Sequence, residues 1–321
     1  MTDWRPSASI ETLRLRAGLL ERAREYFAAT GVMEVETPIL AGAPVTDVHL
    51  ASLATRVAGH GEYFLQTSPE YAMKRLLAAG APDIYQVSRV FRDAERGSQH
   101  NPEFTLIEWY RRGFDLDALM LDCERLISQL LREHRELGAA ERLTYRAAMQ
   151  LHAGVDALEA SPAQLRECAL RHAVPLPREE PKERDTWLDL LMSMVVGPKL
   201  GAGGLSFVHD YPASQAALAR LNPQDSRVAR RFEIYLGGIE LANGFHELAD
   251  AGEQRSRFAR DLQERARRGL PAVPVDERFL AALAAGLPDC SGVALGFDRL
   301  VMLACGAASI EEVIAFPVER A

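Results

Sequence analysis

The chain has 321 residues, of which 48% are hydrophobic and 26% charged, an ordinary globular composition with ample length for a sizeable core. Its net charge of −8 and pI of about 5.6 count against an extended nucleic-acid footprint, which carries a basic bias. No stretch reaches membrane-spanning length, no signal peptide opens the chain, and the four cysteines form no CxxC pair, so a cytoplasmic protein with buried, reduced thiols is expected.

Ser9 is placed to cap a helix over 9–30, where Ile10, Leu13, Ala17, Leu20, Ala23 and Phe27 recur at helical spacing and Gly31 follows. Residues 32–40 read as a strand that passes through Thr37-Pro38, and a short strand is expected over 63–66. The run Ser68-Pro69-Glu70 spells a helix start, with Ser68 as N-cap and Pro69 at the first helical position. Glu70 falls in the first turn, and the helix should stop at Gly80.

Residues 83–92 and 104–110 are rich in β-branched and aromatic residues and read as an antiparallel hairpin. Gly97, Ser98, Asn101 and Pro102 lie in its loop. Alternation puts Glu108 and Tyr110 on one face. Arg92 ends the first strand; His100 and Phe104 lie where the second begins. That set suits a nucleotide plus an amine, because an Arg fork grips phosphate, a ring stacks on a base and a carboxylate holds ammonium. On composition alone, a solvated hairpin with ordinary surface charges is the favoured reading.

A long amphipathic helix is expected over 115–137, with Leu119, Cys123, Leu126, Leu130 and Leu131 as its stripe. Residues 138–184, with Pro162, Pro175, Pro177 and Pro181, read as an insertion holding one short helix over 163–172. Residues 185–200 read as an apolar helix with Met192 and Met194 in the core. Strands are expected over 205–211 and 232–241. The second leads into Glu240, Asn243 and Glu247; a seven-residue separation puts the two glutamates on opposite faces unless Gly244 marks a bulge. Brought together they could hold Mg²⁺ on ATP phosphates; two solvated acids on a turn is the alternative. A charged, solvated helix over 253–268 carries the basic run Arg265, Arg267 and Arg268, and another helix covers 277–285. Last, an apolar strand turns through Gly296 into a helix near Asp298, aiming Arg299 at the strand end.

Several strings carry a resemblance. The helix and strand through MEVETP (33–38) resemble motif 1 of class II aminoacyl-tRNA synthetases. FR at 91–92 followed by HNPEFTLIEWY (100–110) resembles motif 2, and GVALGFDR (292–299) resembles motif 3. YFLQTSPEYAMKRLL and GGIELANGFHEL are similar to the lysyl-tRNA synthetase branch in particular. A lone GxDR is weak, but three motifs in class II order and separation are a specific match. The resemblance implies an α+β fold, the class II catalytic domain with an antiparallel β-sheet flanked by helices. It implies Arg92 on the ATP α-phosphate and the amino-acid carboxylate, with Arg299 and His100 toward the γ-phosphate. Asn101 would lie at the nucleotide, with Phe104 against the adenine. Glu240 and Glu247 would hold Mg²⁺. Glu70, Glu108 and Tyr110 would bind substrate amines, with Ser68, Asn243 and Ala294 shaping the pocket. Motif 1 implies a homodimer.

The match starts near Ser9 and leaves no room for an anticodon-binding domain. One catalytic domain over 1–321, with a helical insertion at about 138–200, is therefore expected. This resembles the free-standing lysyl-synthetase paralogues that activate (R)-β-lysine with ATP and attach it to translation elongation factor P, so tRNA is not the expected acceptor. Two departures matter. The family's Phe-Arg-x-Glu here reads Phe91-Arg92-Asp93-Ala94, with Glu95 one place later, so an acidic partner at the ATP site is missing or displaced. Ala294 stands where lysyl synthetases usually carry Gly. A methyl-sized change shifts selectivity by about 1–3 kcal/mol, on the scale that separates α-lysine from an isomer with its amine moved one carbon. Two alternatives stay open: a truncated lysyl-type ligase acting on tRNA or a small amine, and a non-catalytic amino-acid-binding regulator, which Ala94 would suit.

Overall fold

The computed structural model describes residues 4–93, 95–177 and 180–321; Ala94 lies outside the described residues. Helix α1 (Ile10–Ala29) begins where the Ser9 hydroxyl accepts the Thr12 N–H, and the left-handed Gly31 ends it. The strand expected over 32–40 is cut to β1 (Met33–Glu34), after which the chain peels away through Pro38, which has no N–H for a ladder. It re-forms as β2 (Leu40–Ala41), in a small separate sheet with β3 (Ala54–Val57) and β4 (Gly61–Leu65). Helix α2 (Glu70–Ala78) starts one residue later than Ser68 would dictate as its N-cap; the Ser68 oxygen still accepts the Glu70 N–H at 3.0 Å.

Strands β5 (Ile84–Phe91) and β6 (Glu103–Arg112) form the expected antiparallel hairpin. Helix α3 (Leu116–Leu131), capped by Asp115, stops short of 137 but buries the whole expected stripe. The insertion holds more than one helix: β7 (Glu141–Thr144), α4 (Tyr145–Ala153) and α5 (Pro162–Arg171) precede α6 (Arg184–Leu191). Past α6 the expected apolar helix widens into a π turn and a 3₁₀ turn, which rotates Met194 out to 47% exposure while Met192 stays buried.

Next come β8 (Ser206–Pro212), β9 (Leu221–Asn222), β10 (Asp225–Leu236) and β11 (Ile239–His246). The single strand expected over 232–241 is thus two, joined at Gly237-Gly238, both with positive φ as a tight hairpin turn demands. Helices α7 (Ala251–Arg267) and α8 (Glu277–Gly286), strand β12 (Cys290–Gly296) and helix α9 (Phe297–Cys305) complete the order. Helix α7 is not simply solvated: Gln254, Arg257, Phe258 and Arg265 are buried, Arg265 donates to the Asp47 carbonyl, and Arg267 and Arg268 close on Glu264 and Glu183. Cys123, Cys168 and Cys290 are buried as expected, whereas Cys305 is exposed.

The main sheet runs β1-β5-β6-β12-β11-β10-β8-β7, with β9 on β10. Its end pairs β1–β5 and β7–β8 are parallel, and the pairs between are antiparallel. Helices α1, α3 and α9 pack on one face around Phe27, Trp109, Leu126 and Leu300. Helices α2, α7 and α8 form a second core with Tyr110, and α4–α6 a third that includes Val208, Tyr211 and Tyr235 of the sheet. Among the described residues, no helix is long and apolar enough to cross a membrane.

The expected bulge exists but lies elsewhere. Ile234 pairs with Ala242 and Tyr235 with Glu240, so Leu241 is the extra residue. Gly244 sits in regular register; a Cβ there would meet Phe232 ring atoms at 2.5 Å, so its role is close packing. Gly244→Ala should therefore lower unfolding free energy by about 1–3 kcal/mol. Gly18→Ala, in α1 with nothing within 4 Å of the new Cβ, should raise it by about 0.5–1 kcal/mol. Urea melts of the two variants check the pair; a neutral Gly244→Ala would contradict the packing role.

Candidate active site

Strand register lines up a row across the sheet: Gln86, Glu108, Ala294, Asn243 and Glu233 face one another on β5, β6, β12, β11 and β10. Glu108, Ala294 and Asn243 line a cavity of about 1000 Å³. Arg92, His100, Asn101, Phe104, Ser68, Glu70, Tyr110, Glu240, Glu247 and Arg299 line it too, so every residue assigned to the site from the motifs comes to one cleft.

One end is acidic and buried. Glu108 is held by two hydroxyls, Tyr110 donating to Oε1 at 2.6 Å and Ser68 to Oε2 at 2.7 Å. Ser68 thus holds the Glu70 N–H and the Glu108 carboxylate at once. Glu247 lies in the same end, and Lys74 Nζ sits 2.5 Å from both Glu247 Oε2 and Glu70 Oε1. Burial pushes Glu247 up to about 8, with Lys74 opposing and Glu70 adding to the rise. Burial likewise pushes Glu108 up to about 7, again with Glu70 adding. Burial alone would lower Lys74, but the charges of Glu247 and Glu70 outweigh it and hold the ammonium above its ordinary range.

The other end is basic. Arg299 donates to the Glu240 carbonyl at 2.8 Å and the Gln99 carbonyl at 3.4 Å, and its Nη2 lies 2.8 Å from His100 Nε2. Burial and the neighbouring Arg299 charge lower the His100 pKa, so the ring is neutral near pH 7 and Nε2 accepts from the guanidinium. The Arg92 guanidinium lies over the Phe104 ring, 5.0 Å from its centroid. Glu95, the acid displaced by one place in the sequence, reaches Arg92 at 3.5 Å.

Two expectations change with the geometry. The Leu241 bulge brings Glu240 onto the face of Asn243 and Glu247, yet the two glutamates keep different company. Glu240 feels Glu233, Arg299, Arg231 and Arg92; Glu247 feels Lys74, Glu70 and Glu108. Among the described residues, no group of three or more His, Cys, Asp or Glu is arranged to hold a metal ion. Asn101 uses its amide to anchor the chain, donating to the Glu103 carbonyl at 2.6 Å and accepting the Val318 N–H at 3.2 Å.

Three residues escaped the sequence reading. Lys74 follows the buried Met73 on α2 and is itself 1% exposed; a lysine at that spacing reads as a solvated residue until its partners are known. Arg231 orients Asn243, its Nε donating to Oδ1 at 3.3 Å while Nη2 holds Glu233 at 2.6 Å. A Cβ at Gly292 would meet the Tyr110 ring at 2.2 Å and Glu247 Oε1 at 2.7 Å, so only glycine leaves the acidic end its shape. The glycine of the motif 3 string was the available signal.

The chain matches the family model of class II tRNA synthetases (D, K and N) over residues 1–320. Elongation factor P–(R)-β-lysine ligases of Salmonella dublin, Salmonella paratyphi B and Salmonella heidelberg are each 51% identical to it, the matches covering 99% of this chain and 98% of theirs. With the α+β sheet and the motif 2 and motif 3 residues lining one cleft, the chain belongs to the class II tRNA synthetase family (D, K and N).

Proposed function

We propose that the chain activates (R)-β-lysine with ATP as an acyl-adenylate and transfers it to the ε-amine of a lysine on translation elongation factor P. One observation carries the reading: a single cavity has buried carboxylates at one end and two arginines at the other. A diamino acid laid with its carboxylate toward a triphosphate needs that polarity. Full-length similarity to ligases of that name supports the amino acid and the acceptor.

In the first half-reaction a carboxylate oxygen attacks the ATP α-phosphorus in line and pyrophosphate leaves. The protein's part is positioning and charge neutralisation. Arg92 takes the carboxylate and α-phosphate, Arg299 the far phosphates with His100 beside it, and Phe104 the adenine. Glu108, braced by Ser68 and Tyr110, takes one ammonium, while Glu70 and Glu247 face the other. Bound with ATP, magnesium would neutralise phosphate charge, and it needs only one or two carboxylates beside phosphate oxygens. Glu240, 42% exposed beside Arg299, fits that part, and Glu247, committed to Lys74, does not. In the second half-reaction the acceptor amine attacks the acyl carbon, AMP leaves, and the amine gives up its proton as the amide forms.

We also read residues 1–321 as one catalytic domain, because the β7 strand of the insertion extends the main sheet. Exposed Ile10, Met33, Ile39 and Leu40 around motif 1 support a homodimer through that face, and a translation-factor acceptor supports a cytoplasmic location.

Three outcomes are expected. Glu108 and Glu247 retain protons at pH 6 that a bound ammonium must displace, so β-lysine KM should rise about tenfold or more from pH 8 to pH 6. A flat profile would contradict the acidic-end assignment. Ala294→Gly should shift the α-lysine to β-lysine kcat/KM ratio toward α-lysine by about 1–3 kcal/mol; an unchanged ratio removes Ala294 from selectivity. Mass spectrometry of elongation factor P after incubation with enzyme, ATP and each lysine isomer should show one added β-lysyl group. Label passing to tRNA instead, or no pyrophosphate exchange with any amino acid, would overturn the proposal.

A further inference from the structure

We infer that Arg16, a residue of α1 that does not line the cavity, is a positioning residue for nucleotide binding: it sets the placement of Phe104 relative to Arg299. The inference rests on the reading of the cleft as an ATP site. Phe104 belongs to β6 and Arg299 to α9, so the distance between them depends on how those elements are tied. The tie sits one residue from each. Asp298, 2% exposed, accepts the Thr105 N–H at Oδ2 (2.7 Å) and Arg16 Nη1 at Oδ1 (2.5 Å). Arg16 Nη2 closes the ring by donating to the Thr105 hydroxyl at 2.8 Å.

The ring replaces a ladder that has run out. Strand β12 ends at Gly296, opposite Leu106, so the Thr105 N–H has no further backbone partner on that side. The Asp298 carboxylate supplies one from the first turn of α9. Arg16 makes this possible by neutralising a buried charge, and its guanidinium lies 4.9 Å from the centroid of the Phe297 ring. Without Arg16, Asp298 keeps a single N–H donor and its charge is uncompensated. The side chain then swings toward the cavity it borders, and Arg299 moves with it.

The test is ATP-dependent pyrophosphate exchange by the intact enzyme, with KM for ATP and for β-lysine measured separately alongside thermal melts. Arg16→Met should raise the ATP KM by about 10- to 100-fold with the β-lysine KM unchanged. Arg16→Lys should recover part of the loss, since one ammonium can neutralise Asp298 but cannot bridge to Thr105 as a planar fork does. Thr105→Val, which removes only the hydroxyl, should raise the ATP KM in the same direction by less, and it decides the matter if Arg16→Met does not fold. A wild-type ATP KM in Arg16→Met or Thr105→Val, or both KM values rising together in step with a falling Tm, would overturn the positioning role while leaving the ATP reading intact. Absence of exchange in the wild type would overturn both.

Discussion

Glu70, Glu108 and Glu247 share a pocket that holds one ammonium of its own, Lys74. Burial pushes Glu108 and Glu247 upward, and the single Lys74 ammonium does not offset it. The pocket is therefore short of positive charge until a ligand supplies it, and a substrate with two ammonium groups completes the balance. The same logic makes Lys74 indispensable to the empty protein. Removing one partner of a buried pair leaves an uncompensated charge, a loss of about 3–5 kcal/mol. Gly292 belongs to this constraint, since any side chain there would drive Tyr110 and Glu247 apart.

The antiparallel sheet turns that constraint into a directional site. Glu108, Ala294 and Asn243 are direct cross-strand neighbours on three adjacent strands, so the Ala294 methyl lies between the Glu108 carboxylate and the Asn243 amide. The arginines come from element ends rather than strand middles: Arg92 follows β5 and Arg299 sits in the first turn of α9. In the proposed reading, strand interiors bind the amino acid and strand ends bind phosphate. Helix α1, on the far face, is tied to the Arg299 end of the cleft through the Arg16–Asp298–Thr105 ring.

Local pattern carried much of this. Alternation put Glu108 and Tyr110 on one face, and they are hydrogen-bonded. Capping chemistry placed the start of α1 at Ser9. The motif strings named a residue set that does line one cavity. The failures share a cause, which is that non-local packing decides between meanings that look alike in sequence. A glycine in a strand can mark a bulge or a close contact, and Gly244 is the second. The pair Gly237-Gly238 was read through as strand although two left-handed residues favour a turn. Lys74 went unremarked because its two carboxylate partners lie on its own helix and some 170 residues away. In the proposed reading, its pairing also turns Glu247 from the metal role that the motif resemblance implied.

The most direct measurement is a crystal structure with a non-hydrolysable β-lysyl-adenylate analogue. The account predicts both analogue amines among Glu70, Glu108 and Glu247 and the α-phosphate mimic on Arg92, with Arg299 lying along the nucleotide. An analogue bound the other way round, with an amine at Glu240 or either guanidinium turned from the nucleotide, would contradict it.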